Sequence, residues 1–547
     1  MKKFLFFFFL LGIITNPILS QKEASKWYFG KNANINFSGS TITASNTCSI
    51  ITIEGVASIC DNSGNSLFYT DGSTVYNKNG FAMPNGSGLL GSYTTTQSAL
   101  IVPFPGNPSK YYIFTASPQA GFWVPFAGIA YSIVDLTLDG GLGDITIKNQ
   151  VLITSACEKL VGITQCNGYD YWVIAHEWNS DAFYAYSITS SGMSSPVVTH
   201  IGATHTNSGS GYNDETLGYL KASPDGKKVA CAIFKDINLV QIFDFNYNTG
   251  VLSNPITVDY SAMSENPYGV SFSPDNSKLY VSTDQKIFQY DLLAGSASAI
   301  ISSQILIAST ANDLGALQIA PNKKIYVANL DVPTLEGNYL FCINNPNEAG
   351  SACNFQLDAV ALYPVSAYSR LGLPNYIDGL FDEKPHLDSL IEACSFPVIL
   401  DQGTRRKHCV WSTGDTTSAI TVNAAGTYWV TVQLSDCVSE TDTVRVVQNF
   451  VPGSSTINPV NVFTPNNDGM NDRFGFDNIV ATDYNLIIYN RWGEIVFETN
   501  DPKALWDGTL QNTTCSEGVY FWLLHYKKDG ACSVPEVESK GFVTLIR

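Results

Sequence analysis

Residues 223–234 read SPDGKKVACAIF, residues 273–284 read SPDNSKLYVSTD, and residues 320–331 read APNKKIYVANLD. Each sets a tight polar turn between two apolar runs. Proline fixes φ at such a turn, Asp or Asn bonds its own backbone, and Gly or Asn accepts positive φ. Looser copies lie upstream: DNSGNSLFYTDG from Asp61, PGNPSKYYIFTA from Pro105 and CNGYDYWVIAHE from Cys166. The apolar markers Phe68, Tyr112, Trp172, Val229, Tyr280 and Tyr326 follow one another at 44, 60, 57, 51 and 46 residues. Each unit then runs on into a third strand, as in YSIVDLTLDGG from Tyr131, FYAYSITSSG from Phe183, LVQIFDFNYNTG from Leu239 and IFQYDLLAG from Ile287. Short strands recurring near every 50 residues, with almost no helical periodicity, predict an all-β chain with a β-propeller over residues 21–381.

Six units are visible where there is room for about seven of ~50 residues. The missing one can be assembled from both ends. WYFGKNANINF from Trp27 reads as its second and third strands, and GLPNYIDGL from Gly372 as its first. Joining the termini in one blade leaves no open sheet edge. Seven blades are expected, with six as the alternative. The SPDGKK and SPDNSKLYVST units resemble YVTN-type and lactonase-like propeller repeats. Together, WYFGKNANINF, EGVASICDNSGNSLFYTDG, PGNPSKYYIFT and GLPNY resemble the propeller at the front of many surface proteins of gliding Bacteroidota. That resemblance implies a fold and leaves the function open.

Lys2 and Lys3 precede an unbroken apolar run from Phe4 to Ile14, then Thr15, Asn16, Pro17 and Ser20. This is the pattern of a secretory signal, residues 1–20, with cleavage expected between Ser20 and Gln21. Eleven helical residues at ~1.5 Å each cover about half of a ~30 Å hydrocarbon core, so no anchor is expected there. No later stretch reaches 18 apolar residues, and the mature chain is expected to have no membrane span. The net charge of −18 across 547 residues, with only 14% charged residues, disfavours nucleic acid and anionic lipid. Twelve cysteines in an exported chain permit disulfides. Cys48/Cys60, Cys157/Cys166 and Cys342/Cys353 are plausible local staples, and no Cys-x-x-Cys pair suggests a zinc ribbon.

After Leu380, residues 382–393 read as a charged linker. Residues 394–447 then alternate strands with Gly turns about every ten residues, as in a small β-sandwich, with Trp411 and Trp429 expected in its core. WSTGDTT followed by GTYWVTV and a cysteine resembles PKD-like or immunoglobulin-like modules of adhesins, and the resemblance implies a Cys394–Cys437 pair, with Cys409 extra. Residues 458–547 form a second small β-sandwich by their turn clusters. There NVFTPNNDGMNDRF supplies Thr464, Pro465, Asn466, Asp468, Gly469, Asn471 and Asp472. YNLIIYNRWGEIVFET supplies Asn490, Arg491, Trp492 and Gly493, LWDG supplies Trp506, Asp507 and Gly508, and GVYFWLLHY supplies Gly518 and Tyr520. With the terminal KGFVTLIR, these motifs in order resemble the gliding-motility-associated C-terminal domain, the type B sorting signal of the type IX secretion system. The resemblance implies that the secretion machinery is a partner and that the chain is secreted or placed on the cell surface.

Asn466–Asp472 is loosely like a calcium loop, but the twelfth position, Asp477, is not the bidentate Glu an EF-hand needs, so an Asx-rich turn is expected. His176, Glu177, His200, His205, Asp214 and Glu215 are polar groups that a propeller could bring to a channel mouth. Metal-dependent lactonase propellers hold a cation with carboxylates and an Asn, and Glu54, Asn213, Asp214 and Glu215 are the residues that such a ring would use. No spacing selects them. Gly209-Ser210-Gly211 is not a nucleophile elbow, and Walker A and dinucleotide fingerprints are absent. No catalytic set, cofactor or metal is therefore expected. The expected function is non-enzymatic: a platform for a protein or glycan ligand, in adhesion or gliding, with a secreted lactonase or hydrolase as the alternative.

Overall fold

The computed structural model describes residues 22–38, 41–118, 126–207, 213–362, 366–378, 387–394, 396–402, 408–433, 437, 439–448, 460–476, 481–528 and 537–547. The signal, its Ser20/Gln21 cleavage point, Gly209-Ser210-Gly211, Asp477 and the first part of the expected linker lie outside them. The chain divides into two compact units, residues 1–384 with 433–439, and residues 385–432 with 440–547.

In the first unit the repeated turns form as their chemistry dictates. Ser223 Oγ donates to Asp225 Oδ1 at 2.6 Å and accepts from the Lys228 amide at 2.9 Å. Ser273, Asp275 and Lys278 repeat this at 2.7 and 2.8 Å. Gly226, Asn276 and Lys323 take the left-handed position, with φ of 69°, 65° and 62°. Each turn joins the first two strands of an antiparallel sheet.

Seven sheets follow one another. The first has three strands, Lys26–Phe29, Ala33–Asn36 and Thr43–Ser45. The second to seventh open on Ala57–Cys60, Ala99–Phe104, Ala156–Thr164, Leu220–Ala222, Val270–Phe272 and Asp313–Ile319. Each of these continues outward through three more strands in sequence order, with a short extra strand, Gly192–Met193, in the fourth. The opening strands of successive sheets pack on one another, so they are the innermost ones. Lys26–Phe29 lies against Ala57–Cys60, while the Trp27 ring meets Tyr326 of the seventh sheet at 5.8 Å. The first sheet is thus flanked by the second and the seventh, and the row of sheets closes as a β-propeller. All six repeat markers are buried between sheets.

GLPNYIDGL departs from the expectation. Its described part, residues 372–378, lies innermost, yet it is not a strand hydrogen-bonded to Lys26–Phe29. Ile377–Asp378 instead pairs in parallel with Gly162 and Ile163 of the fourth sheet, Pro374 bridges Val56, and the Leu371 carbonyl accepts from Ala316. Pro374 has no N–H to give a ladder. Gly372 fits only because it lacks a Cβ, which would stand 1.7 Å from the Glu54 carbonyl.

The cysteines also differ. Cys48, Cys60, Cys157, Cys342 and Cys353 are buried free thiols, and a disulfide joins Cys166 to Cys437, where the resemblance implied Cys394 with Cys437. Cys157 lies at the start of the strand Ala156–Thr164 and Cys166 two residues beyond its end; an extended strand of that length, at ~3.3 Å per residue, holds them too far apart for a staple.

In the second unit, Leu390–Ala393, Ser439–Gln448, Gly426–Gln433 and Cys409–Trp411 form one sheet in that order, and Val398–Asp401 pairs with Ala419–Val422. Leu390–Ala393, placed in the linker by sequence, is a strand parallel to Ser439–Gln448. Trp411 is buried, but Trp429 is 46% exposed, because Val430 and Val432 take the inward face of its strand and successive side chains alternate. The last sheet has the order Val462–Phe463, Val537–Leu545, Gly518–Lys528, Ala481–Tyr489, Ile495–Thr499.

Candidate functional site

The innermost strands of the first unit carry polar side chains, and the segment 366–378 lies among them. Gln97 ties two sheets together. Its Oε1 accepts from the Leu220 amide at 2.8 Å and the Leu160 amide at 3.3 Å, and its Nε2 donates to the Leu160 carbonyl at 2.7 Å. Lys221 Nζ donates to Gln318 at 2.7 Å and to Asn375 Oδ1 at 3.3 Å. Asn375 Nδ2 donates to the Leu160 carbonyl at 3.0 Å. These groups are consumed by one another, as buried polar groups must be. Two carboxylates sit beside them. Glu54 accepts from the Tyr268 hydroxyl at 2.8 Å, and Glu158 accepts from the Thr96 amide at 2.9 Å. Burial, and then the neighbouring Glu158 carboxylate, hold the Glu54 carboxyl well above the usual range.

A second cluster lies within the fourth sheet. Cys157 comes from its first strand, His176 from its second (Tyr171–Glu177) and His205 from its outer strand (Val197–His205). The Cys157 Sγ is 3.6 Å from His176 Nδ1 and 3.4 Å from His205 Nδ1. The two imidazoles stack at 3.8 Å, and all three side chains are fully buried. Burial, then the Lys159 charge, push the His176 pKa down to about 3; burial and the His176 charge push His205 well below its usual value. Burial also raises the Cys157 thiol. Both rings are therefore neutral at physiological pH. Sequence reasoning picked out both histidines but gave Cys157 another role, as a staple with Cys166. A β-bulge between Ala156 and Leu160 shifts the register and brings Cys157 beside His176, and only a register count with that bulge could have found it.

The other candidates disperse. His200 pairs with Asp181 at 2.7 Å on the surface, and Glu177 accepts from Tyr184 at 3.2 Å. Asp214 lies 3.8 Å from Lys235, while the buried Glu215 accepts from the Thr206 amide at 2.7 Å. Among the described residues, Glu54, Asn213, Asp214 and Glu215 do not converge as a cation ring; the three-ligand group found is Cys157, His176 and His205. A surface groove of about 490 Å³ opens along the fifth sheet, lined by Asp225, Lys227, Asn246, Tyr247 and Asn248 among others.

In the C-terminal sheet, Asp472 gathers the Asn467, Gly469 and Asn466 amides at 2.7, 2.8 and 3.0 Å. This is an Asx-rich turn, as read from the sequence. Asn490 Oδ1 accepts from the Trp492 and Glu494 amides, leaving Trp492 82% exposed at the tip of its turn. Trp506 is fully buried against Tyr520 at 4.8 Å, and Asp507 accepts from the Thr509 amide at 3.0 Å. Arg547 Nη2 donates to the Gly508 carbonyl at 2.9 Å, fixing the end of the chain to that turn.

Residues 457–545 match the CHU_C type IX secretion signal domain. The chain thus carries a type IX secretion signal at its C-terminal end, and it is secreted or displayed on the cell surface. A search among curated proteins finds no match. Among solved structures, the chain is similar to the extracellular domain of BT4673 from B. thetaiotaomicron (10% identity, TM-score 0.33), over 70% of this chain and 38% of that one. It is also similar to the β-propeller domain of Cps50 (Swd1) from Myceliophteria thermophila (10%, 0.34; 56% and 94%) and to the periplasmic gluconolactonase PpgL of Pseudomonas aeruginosa (12%, 0.29; 69% and 94%). The chain spans well under half of the first of these structures.

Proposed function

We propose that the type IX machinery exports this chain through residues 458–547, and that its first unit, read as seven blades, is a platform for a glycan or protein ligand. The sorting-signal match carries the export reading. The binding reading is supported by the groove along the fifth sheet, whose carboxylate, ammonium and amide groups suit a ligand rich in hydroxyls or peptide groups. The Lys227 ammonium stands 6.0 Å above the Tyr247 ring at its edge. A second reading, a propeller hydrolase, is favoured by Glu54 and Glu158, two buried carboxylates close enough to influence each other. Against it, Tyr268 and Thr96 already engage both, and Gly372 packs on the Glu54 backbone. Arraying the mature protein over immobilised glycans tests the binding reading. Binding that Lys227→Ala and Asn248→Ala weaken at least tenfold is expected. Binding unchanged by both, or hydrolysis of an arrayed ligand that Glu54→Gln abolishes, contradicts it.

A further inference from the structure

Most of the C-terminal motif residues are spent inside their own domain. Trp506 fills its core, Asp472 and Asn490 close turns, and Asp507 holds the Thr509 amide. Trp492 does none of this. Asn490 shapes the turn around it, and its indole stands in solvent. A large aromatic ring with no packing role in its own fold has the character of an anchor for a partner.

The strands beside that turn extend its apolar surface. Side chains alternate across a sheet, so Tyr520, Trp522 and Leu524 face the core while Val519, Phe521 and Leu523 face outward. Register aligns the outward side chains of four strands into rows. Phe542 pairs with Phe521, Phe521 with Tyr489, and Tyr489 with Ile495. Phe521 and Phe542 are 50% and 55% exposed. Two residues further along the strands, the row reads Lys540, Leu523, Ile487 and Glu498. The next reads Glu538, His525 and Asn485. The face thus grades from apolar to polar, and its apolar end is the one that carries the Trp492 turn. Threonine would serve a solvent-facing strand as well, as Thr544 does two residues from Phe542. An exposed apolar row of this kind marks a contact surface. The partner follows from the role of the domain itself: residues 457–545 match a secretion signal, whose work is to be held by the export machinery.

We propose that the row of Phe542, Phe521, Tyr489 and Ile495, with Trp492 at its end, is the surface by which the type IX machinery grips this chain, an assignment that rests on the export reading above. The surface fits an apolar strip that ends in a pocket for the indole, with a carboxylate at its rim for the exposed Arg491. The test expresses full chains in a host with an active type IX system and measures the fraction reaching the surface or the medium. Trp492→Ala, and Phe521→Thr combined with Phe542→Thr, should each lower that fraction at least about tenfold and accumulate in the periplasm with the wild-type thermal midpoint. Trp492→Phe should keep export, as should Glu538→Thr at the polar end of the same face. A photoreactive benzoyl group on the ring at position 521 should crosslink to a component of the secretion machinery, a readout that needs no loss of export. Normal export of the Trp492→Ala and double phenylalanine variants, while a chain ending at residue 457 stays inside, would overturn the proposal and leave the export reading intact. Equal loss from Glu538→Thr would do the same, as would crosslinks formed solely between copies of this chain. Export of the chain ending at residue 457 would overturn both.

Discussion

Glu54 is one residue whose chemistry can be read from bulk stability. Its carboxyl is buried among Tyr268, Tyr219 and Glu158, and its folded pKa is raised. Below the unfolded value of about 4.3 it is protonated in both states. As pH rises past that point the unfolded chain loses the proton and the folded one keeps it. Stability therefore falls with pH, by up to ~1.4 kcal/mol per unit, until the folded pKa is passed. Glu54→Gln keeps an acceptor for Tyr268 and removes the titration, so the variant should gain stability relative to wild type between pH 4 and 7. Urea denaturation at several pH values checks this, and parallel curves would contradict it. At this scale the sequence was only partly legible. It marked His176 and His205 as polar groups that a propeller could bring to a channel mouth, and Glu54 as a member of a cation ring. It could not show that a bulge carries Cys157 to the histidines, or that Glu54 faces Tyr268, because both depend on register between distant segments.

The repeated turn is the most legible element. Ser223 and Ser273, fifty residues apart, build the same Ser–Asp–Lys hydrogen bonds because the local sequence alone determines them. GLPNYIDGL from Gly372 was read as the first ladder strand of a blade, whereas Pro374 and Gly372 shape its described part through contacts with Val56 and Glu54 that local pattern does not encode. Leu390–Ala393 was missed for a related reason: four residues amid charges make a strand only because Ser439–Gln448 pairs with them. The close approach at Gly372 gives a prediction at this scale. Gly372→Ala places a Cβ against the Glu54 carbonyl and should cost ~1–3 kcal/mol through overpacking. Thermal denaturation of the mature protein is the check, and an unchanged midpoint would mean the segment is not wedged among the innermost strands.

For the molecule as a whole, the two ends of the sequence differ in what they disclose. The C-terminal motifs recur in order and fall on turns and core of one five-stranded sheet, with Trp506 buried and Asp472 closing its loop. Their meaning as an address was therefore legible, and the family match over residues 457–545 agrees. The propeller's fold was legible from its period, while its ligand was not, since blade repeats specify packing and surface loops specify binding. The address at residues 457–545 decides where the protein acts. Its most direct test compares, in a host with an active type IX system, the full chain with one ending at residue 457, by cell fractionation and detection of residues 22–378. The full chain should reach the surface or the medium, and the truncated chain should accumulate folded in the periplasm. Equal export of both would contradict the central claim.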